Sequence, residues 1–288
     1  MTHPADLDAG APPGGSGRRF LVRHLALFAA LVLAWEGGSR LGLLDPLFFP
    51  RPTDILVGFW RLYVVQRNIW PHLGLTVAEV LAGFLAGSAF GIALAIGVGS
   101  FERLRRYLKP YVVVLEATPR IAIGPVIIAA FGFGWTSKVA IVTLVCFFAP
   151  FVNTLNGMVS TDEDELSMFR SMRATKAQIF AKLMLPSALP EIAAGLRLAM
   201  ASALGGALVA EFIASNAGLG LLITQYTGTL NMASAFVCVL TLSALGLLVF
   251  RGMEALDRRL VFWGDRDRTE RMSRRRAAAW RAKMGAGA

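Results

Sequence analysis

The sequence has 288 residues, of which 55% are hydrophobic and only 17% are charged, and its net charge is +10. An ordinary soluble domain has about 45–50% apolar and about 25% charged residues. The apolar excess is concentrated in blocks of about 20 residues, the length that a helix needs to cross a bilayer. The composition therefore excludes an ordinary soluble protein and predicts an all-α integral membrane protein.

The basic residues do not form the compact patch that a nucleic-acid-binding domain requires. They lie between the apolar blocks and near the C-terminus, a distribution typical of contact with anionic lipid headgroups. No nucleic acid is expected as a partner. Cys146 and Cys238 each lie inside an apolar block, and the three histidines are scattered, so no disulfide framework, metal site or cofactor is predicted.

Taken in chain order, the sequence predicts two tails around one membrane domain. Residues 1–19 are rich in Pro, Gly and Ala, which is typical of a disordered tail. The membrane domain covers 20–262 and includes a long connection at about 160–189. It contains six apolar blocks, which predict six spans. The first follows "RRFLVR" and ends near Trp35, and the others cover roughly 75–98, 111–133, 138–158, 191–213 and 233–256. Residues 263–288 form a basic tail.

Lysine and arginine in the connections indicate the orientation of these spans. The outer connection at 214–232 contains neither residue, whereas the one at 39–74 contains four arginines. The bias favours a plasma (inner) membrane protein with both termini in the cytoplasm. The inner basic residues are Arg103, Arg105, Arg106 and Lys109 in one loop and Arg170, Arg173, Lys176 and Lys182 in another.

Two further patterns concern helix packing. "PTDILVGFWRLYVVQ" predicts an amphipathic helix that lies against the membrane or the bundle, with an apolar face formed by Ile55, Leu56, Phe59, Trp60, Tyr63 and Val64. In the second span, glycine recurs every four residues. This stripe favours close approach of a neighbouring helix, and its residues are Gly83, Gly87 and Gly91.

The connection from about 159 to 190 predicts an amphipathic helix. It begins with the acidic run "DEDE" and continues with basic residues, with Ile179, Phe180 and Leu183 on one helical face. Pro186 and Pro190 are expected to end it. Periodicity alone leaves two interpretations open: a helix that rests on the inner leaflet, or one that inserts apolar side chains into a groove of a partner protein.

Several stretches resemble the permease subunits of binding-protein-dependent ABC importers. "RSMRATKAQIFAKLMLPSALPEIAAGLRLA" is similar to the cytoplasmic signature loop of that family, which has an acidic-Ala-Ala triplet, a glycine and then Ile-x-Leu-Pro. Ser167-Met168-Phe169 stand in place of the triplet, and Arg173 in place of the glycine. "NIWPHLGLTVAEVLAGFLAG", "ATPRIAIGPVIIAAFGFG" and "EFIASNAGLGLLI" resemble the branch for sulfonates, nitrate, taurine and pyrimidine precursors.

The resemblance implies a transport subunit whose signature loop docks on a separate ATPase. The chain lacks a G-x-x-x-x-G-K-[ST] motif, so ATP hydrolysis is expected in the partner and this chain is not expected to be an enzyme. The implied partners are two ATPase subunits, a second permease (a copy or a close homologue), an extracytoplasmic substrate-binding protein and membrane lipid. The implied coupling residues are Arg173, Ala174, Thr175, Lys176, Gln178, Ile179, Phe180, Lys182, Leu185 and Pro186.

Within that set, Ile179 and Phe180 are expected to be anchors buried in the ATPase groove, and Lys176 and Lys182 to lie at its rim. Ionisable residues inside spans are candidates for function. Glu116 and Arg120 are four residues apart and can form an ion pair on one helix or gate a translocation path. Glu211 and Asn216 are candidates for lining that path.

Two other classes of membrane protein are less consistent with the sequence. A secondary transporter of small solutes, the main alternative, typically has two similar halves with interrupted helices, and no such repeat is evident. A membrane enzyme needs a convergent set of nucleophile, base or metal ligands, and the apolar blocks contain no such set.

Cysteine-accessibility labelling tests the predicted topology. Leu104→Cys, Lys176→Cys and Arg275→Cys, each in a background without the two native cysteines, should react only from the cytoplasmic side because basic connections remain inside. Labelling of Lys176→Cys from outside would invert the topology and remove the docking interpretation of the 160–189 connection.

Overall fold

The computed structural model of the protein describes residues 16–101, 107, 111, 118–214 and 216–260. These residues form helices and turns without any strand, so the predicted all-α class is confirmed. The predicted tail at 263–288 and residues 1–15 of the other tail lie outside the described residues. Residues 16–19 already belong to the first helix.

The helices are numbered in chain order, with short irregular turns between some of them. A 3-10 turn (Arg120–Ile123) precedes α4, and π-helical turns follow α2 (Arg61–Val65) and join α7 to α8 (Phe180–Met184). The helices are α1 (Ser16–Arg40), α2 (Pro52–Trp60), α3 (Ile69–Gly99), α4 (Gly124–Phe131), α5 (Trp135–Val159), α6 (Glu163–Ser171), α7 (Lys176–Ile179), α8 (Leu185–Ala214), α9 (Leu219–Gly228) and α10 (Met232–Leu260).

Among the described residues, four helical segments are long and apolar enough to cross a membrane: α3, α5, the continuous stretch Lys176–Ala214, and Met232–Asp257. They match four of the six predicted blocks. The predicted block at 111–133 is described from 118 onward, where it contains the shorter apolar helix Arg120–Phe131. The remaining predicted block, which ends near Trp35, lies in α1, and α1 is not one of these four segments. The count of six spans therefore stays a prediction.

The chain divides into two compact units: residues to Arg67 with Gln225–Val237, and Asn68–Thr224 with the chain from Cys238. The second unit is built on α3, α5 and α8. Its largest core cluster combines small and large apolar side chains from α3, α5, α8 and α10, and consists of Val80, Phe84, Val142, Cys146, Ala199, Met200, Ala203, Ala207 and Met253.

The glycine stripe of α3 lies directly on α5. A Cβ at Gly83 would stand under 3.0 Å from Val142, and one at Gly87 or Gly91 would meet a backbone carbonyl oxygen of α5 at the same short range. The packing interpretation of this stripe is confirmed. On the other side of α5, Gly195 of α8 sits against the backbone around Pro150, with a Cβ-to-oxygen distance of 2.9 Å to Ala149.

In the first unit, the predicted amphipathic helix is present as α2 and its π-helical turn, and its predicted apolar face, which is expected against the membrane or the bundle, is only partly buried within the chain. The buried residues are Ile55, Gly58 and Leu62, whereas Leu56 and Trp60 are 68% and 64% exposed. Gly58 is buried because it packs on α10, where a Cβ would approach Val237 to 3.1 Å. Close approach through a glycine, and not side-chain size, selects the buried face.

The expectation that Pro186 and Pro190 end the helix of the long connection is wrong. Helical structure is continuous over Lys176–Ala214. The π-helical turn explains this: the Leu185 N–H donates to the Phe180 carbonyl, five residues back. A widened turn relieves the clash that the Pro186 ring would otherwise make with the preceding turn, so the chain enters α8 without a break.

A matched pair of glycine substitutions in α3 tests the packing. Gly87→Ala should lower the free energy of unfolding by about 1–3 kcal/mol, as overpacking does, because its Cβ would overlap the α5 backbone. Gly97→Ala should be neutral or stabilising by up to about 1 kcal/mol through helix propensity, since nothing lies within 4 Å of its Cβ position. Thermal unfolding of detergent-purified protein measures both. Equal melting temperatures for the two variants would contradict close α3–α5 contact.

Candidate functional site

A buried polar cluster, formed by His72, Thr76, Glu79, Lys138 and Glu211, joins α3, α5 and α8 to the loop between α8 and α9. The hydroxyl of Thr76 donates to Glu211 Oε1 at 2.6 Å and accepts from the Leu219 N–H at 3.0 Å. Glu211 Oε2 accepts from the Gly220 N–H at 2.5 Å. The carboxylate of Glu211 thus caps the start of α9 and binds α3.

Lys138 forms the second half of the polar cluster. Its ammonium group pairs with Glu79 and donates to the Ala217 carbonyl at 3.0 Å. Both charged residues are almost inaccessible, with 2% of Lys138 and 0% of Glu79 exposed. Charges buried to this degree are tolerated only when they are paired and hydrogen-bonded.

These contacts fix the backbone of the α8–α9 loop. The Gly218 N–H donates to His72 Nδ1 at 2.9 Å, so consecutive groups from Ala217 to Gly220 all bind members of the polar cluster. Gly218 has φ of +136°, and a Cβ there would collide with the Glu211 carboxylate. A non-helical loop is thereby held rigidly between two apolar helices, with its polar backbone satisfied as a membrane environment requires.

The predicted path-lining pair separates in the structure. Glu211 is 1% exposed and belongs to the polar cluster, while Asn216 is exposed. The burial of Glu211 is explained by its hydrogen bonds, which hold the α8–α9 loop in place. Its role in a translocation path stays a prediction, as does that of Asn216.

Sequence reasoning missed Lys138, Thr76 and His72 as members of a site. Glu79 and Lys138 are on different helices, so no local spacing relates them. A signal existed in the ionisable residues themselves: a lysine inside an apolar block is costly enough to require a partner.

Arg120 lies in the 3-10 turn before α4, at a cleft of about 210 Å³ beside α5 and α8. Its guanidinium carbon stands 4.5 Å from the ring centroid of Phe148, a cation–π contact. Glu116 lies outside the described residues, so its predicted pairing with Arg120 stays a prediction. The remaining cleft residues are Ala149, Val152, Asn153, Leu198 and Ser202.

The long connection folds as α6, a tight turn and α7. Asp162 caps α6, accepting from the Asp164 N–H at 2.9 Å. The turn closes with Arg173 N–H to Arg170 O at 3.0 Å and Ala174 N–H to Phe169 O at 3.1 Å, the Schellman pattern. Arg173 has φ of +56°, the left-handed conformation that glycine adopts most readily.

A capping box starts α7. The Thr175 hydroxyl accepts from the Gln178 N–H at 3.3 Å, and the Gln178 side chain accepts from the Thr175 N–H at 2.8 Å. Lys176, Ala177 and Gln178 are all exposed. The first turn of this helix is therefore fixed by its own side chains and open to contact.

One of the two predicted anchors, Phe180, packs within the chain. Ile179 and Phe180 are only half-exposed, and Phe180 packs against the core cluster of Met158, Ala188 and Ile192. The exposed apolar side chains of the connection are instead Met168 and Met172, which are 54% and 71% exposed. Methionine is common at adaptable binding surfaces because it is flexible and polarisable.

In the described part of the chain, no group of three or more His, Cys, Asp or Glu side chains is arranged to hold a metal ion.

Comparison with known proteins gives concordant matches. Residues 87–262 match the family described as binding-protein-dependent transport system inner membrane component. The chain is 33% identical over 240 residues to the formylaminopyrimidine transport permease protein of Halalkalibacterium halodurans, covering 82% of this chain and 93% of the relative. It is 28% identical over 249 residues to the taurine transport system permease protein of Escherichia coli, covering 85% and 90%.

A solved structure supports the fold. A chain of the MetNI methionine ABC transporter in an inward-facing conformation superimposes with a TM-score of 0.54 at 19% identity, covering 70% of this chain and 98% of that chain.

The buried ion pair of the polar cluster can be tested with a double-mutant cycle. Lys138→Met should lower the free energy of unfolding by about 3–5 kcal/mol because it leaves a buried charge without its partner. Glu79→Gln added to Lys138→Met should recover a large part of that loss, since no unpaired carboxylate then remains. Thermal unfolding in detergent measures Lys138→Met, Glu79→Gln and the double variant against the wild type. Additive losses in the double variant would contradict a direct Lys138–Glu79 interaction.

Proposed function

Because the chain belongs to the family of binding-protein-dependent transport system inner membrane components, the permease subunits of ABC importers, we propose that it forms one half of a solute pathway. The chain is a transport subunit of the membrane, not an enzyme, and the family implies an ATPase and a binding protein as partners. The family match sets aside a secondary transporter. In the proposed assembly, two permease chains, identical or closely homologous, face each other above two ATPase subunits.

The proposed topology has six spans with both termini in the cytoplasm. The four long apolar helices, together with α1 and the block that ends in α4, supply the six. The basic residues between α6 and α8 support a cytoplasmic position for that connection.

The connection around 160–189 is proposed as the coupling element that docks on the ATPase. The observation that carries this proposal is the continuity of Lys176–Ala214 as one helical segment. A movement imposed on its exposed first turn is transmitted to α8 as a rigid body, the kind of displacement that switches two-state transporters. Phe180 stiffens the joint because it packs on the chain's own core.

We assign the contact to a coupling surface formed by Met168, Met172, Lys176, Ala177 and Gln178. These side chains are exposed on α6, its C-terminal turn and the first turn of α7. Ile179 and Phe180 support this surface from within. The division differs from the expectation that Phe180 itself is an anchor, because a side chain already packed in the core has less area to offer a partner.

The solute is proposed to be small and polar, of the kind that the relatives' names give: a sulfonate such as taurine, or a pyrimidine precursor. Nitrate belongs to the same expectation from sequence resemblance. An external binding protein would deliver the solute, and much of the selectivity would reside in that protein.

Capture of the native ATPase by the tagged full-length chain tests the coupling surface. The double variant Met168→Ala, Met172→Ala should weaken capture by about 2–4 kcal/mol, the cost of losing interface hot spots, with an unchanged melting temperature. Leu43→Ala removes a side chain that is 78% exposed outside this surface and serves as the matched control. It should leave capture unchanged.

Phe180→Ala separates the two roles of the connection, which are contact with the ATPase and packing within the chain. It should lower the free energy of unfolding by about 3–5 kcal/mol or somewhat less, the range for buried Phe→Ala changes, because Phe180 packs within the chain.

Wild-type ATPase capture by the double methionine variant would place the contact elsewhere. Absence of any ATPase with the wild-type chain would contradict the importer assembly itself.

A further inference from the structure

The Arg120 cleft combines features that a packing role does not require. An ionisable residue among apolar helices is costly, which makes it a candidate for a functional site. The cleft residue Phe148 lies near the middle of α5 and Ser202 near the middle of α8, while Asn153 lies in the last third of α5. The cleft is therefore at mid-height of the helices, the level at which transporters bind their solutes.

The backbone beside the cleft is not α-helical. Pro119 has ψ of 89°, and Arg120–Ile123 forms a 3-10 turn before α4 begins. Irregular backbone at membrane depth is tolerated only where it is buried in protein or lines a cavity. A cleft of about 210 Å³ far exceeds the space that one water molecule needs on the same measure, about 10–15 Å³, and leaves room for the head group of a small solute.

The chemistry of the cleft favours an anion. The guanidinium carbon of Arg120 stands over the Phe148 ring, and the guanidinium carries five N–H donors that lie in one plane. An acceptor from the chain and the oxygens of a ligand can therefore bind it together. Planar donors of this kind recognise carboxylate-like oxygen pairs through charge-assisted hydrogen bonds.

The neutral side chains of the cleft complete its polar surface. Asn153 and Ser202 each donate to a carbonyl of their own helix, at 2.8 and 2.9 Å, and none of the described residues that line the cleft is a carboxylate. Ala149, Val152 and Leu198 supply apolar surface for a short carbon chain.

We propose that Arg120 is an anion-binding residue and that its cleft takes the sulfonate or carboxylate head of a small organic acid. This inference rests on the proposed function, because it treats the cleft as part of the solute pathway. It narrows the solute to acids and assigns their recognition within this chain to one guanidinium.

Ligand-observed NMR on the full-length chain in phosphatidylcholine nanodiscs tests the proposal with two probes. Ethanesulfonate carries the anionic head, and ethanesulfonamide is its neutral analogue. The wild-type chain should bind ethanesulfonate at least about tenfold more tightly, as expected for hydrogen bonds to a charged group. Equal Kd values for the two probes in the wild-type chain overturn the proposal without any variant.

Two arginine variants locate the effect. Arg120→Gln should raise the Kd for ethanesulfonate about tenfold or more and leave that for ethanesulfonamide unchanged. Arg197→Gln is the matched control, because Arg197 pairs with Asp257 at 3.1 Å and does not line the cleft. Wild-type ethanesulfonate binding by Arg120→Gln, or an equal loss in Arg197→Gln, overturns the proposal. If Arg120→Gln does not fold, Arg120→Lys should keep the charge, lose the planar donors and bind ethanesulfonate severalfold more weakly.

ATPase capture by the same preparations separates this inference from the proposed function. Arg120→Gln should recover the ATPase in the wild-type amount, because the coupling surface is intact. If the wild-type chain captures no ATPase, the importer assembly fails. Charge-selective binding at Arg120 is then still decided by the Kd values of the two probes.

Discussion

The second unit depends on direct contact between the backbones of α3, α5 and α8. Among lipid tails, burial of apolar side chains gives helices little reason to associate, so close van der Waals packing has to supply the attraction. Gly83, Gly87 and Gly91 bring α3 onto α5, and Gly195 brings α8 onto the other side of α5. Any side chain at these positions would separate the helices and with them the groups of the polar cluster.

Because these helices pack closely, the polar cluster can hydrogen-bond the backbone of the α8–α9 loop, which is not helical and cannot pair its own backbone groups. Hydrogen bonds from Thr76 and Glu211 reach across helices at 2.5 to 3.0 Å, distances that only closely packed backbones permit. In return, the Lys138–Glu79 pair ties α5 to α3. A buried pair of this kind is weak evidence for stability, but loss of one partner leaves a buried charge uncompensated and is therefore costly.

One helical segment links the parts to which function is assigned. The stretch Lys176–Ala214 begins in the coupling surface, passes Ser202 in the Arg120 cleft and reaches Glu211 in the polar cluster. In the proposed mechanism, movement at its first turn reaches the cleft through a helical segment that is continuous from Lys176 to Ala214. The far end of this segment stays fixed, since the polar cluster holds the end of α8 to α3.

The sequence predicted features that depend on local spacing. Helices α3, α5, α8 and α10 follow from the length of the apolar blocks, and the glycine stripe follows from its four-residue period. Features decided by tertiary contact were not predictable. The buried face of α2 is selected by Gly58 against α10, and the Lys138–Glu79 pair joins residues on separate helices. The prediction that Pro186 ends the helix was wrong because a π-helical turn accommodates the proline ring.

Arg173 illustrates how a conformation can be kept without the residue that usually supports it. The related permease pattern has glycine there, yet the chain turns in the left-handed conformation with arginine, at φ of +56°. A non-glycine residue in this region costs about 1–2 kcal/mol. The two Schellman hydrogen bonds at the end of α6 fix the turn, and a cation at a helix C-terminus contributes about 0.3–1 kcal/mol in return. Since α6 begins with Asp162, Glu163, Asp164 and Glu165 and ends beside Arg170 and Arg173, its charges run with its dipole, and part of the strain at Arg173 is offset where it arises.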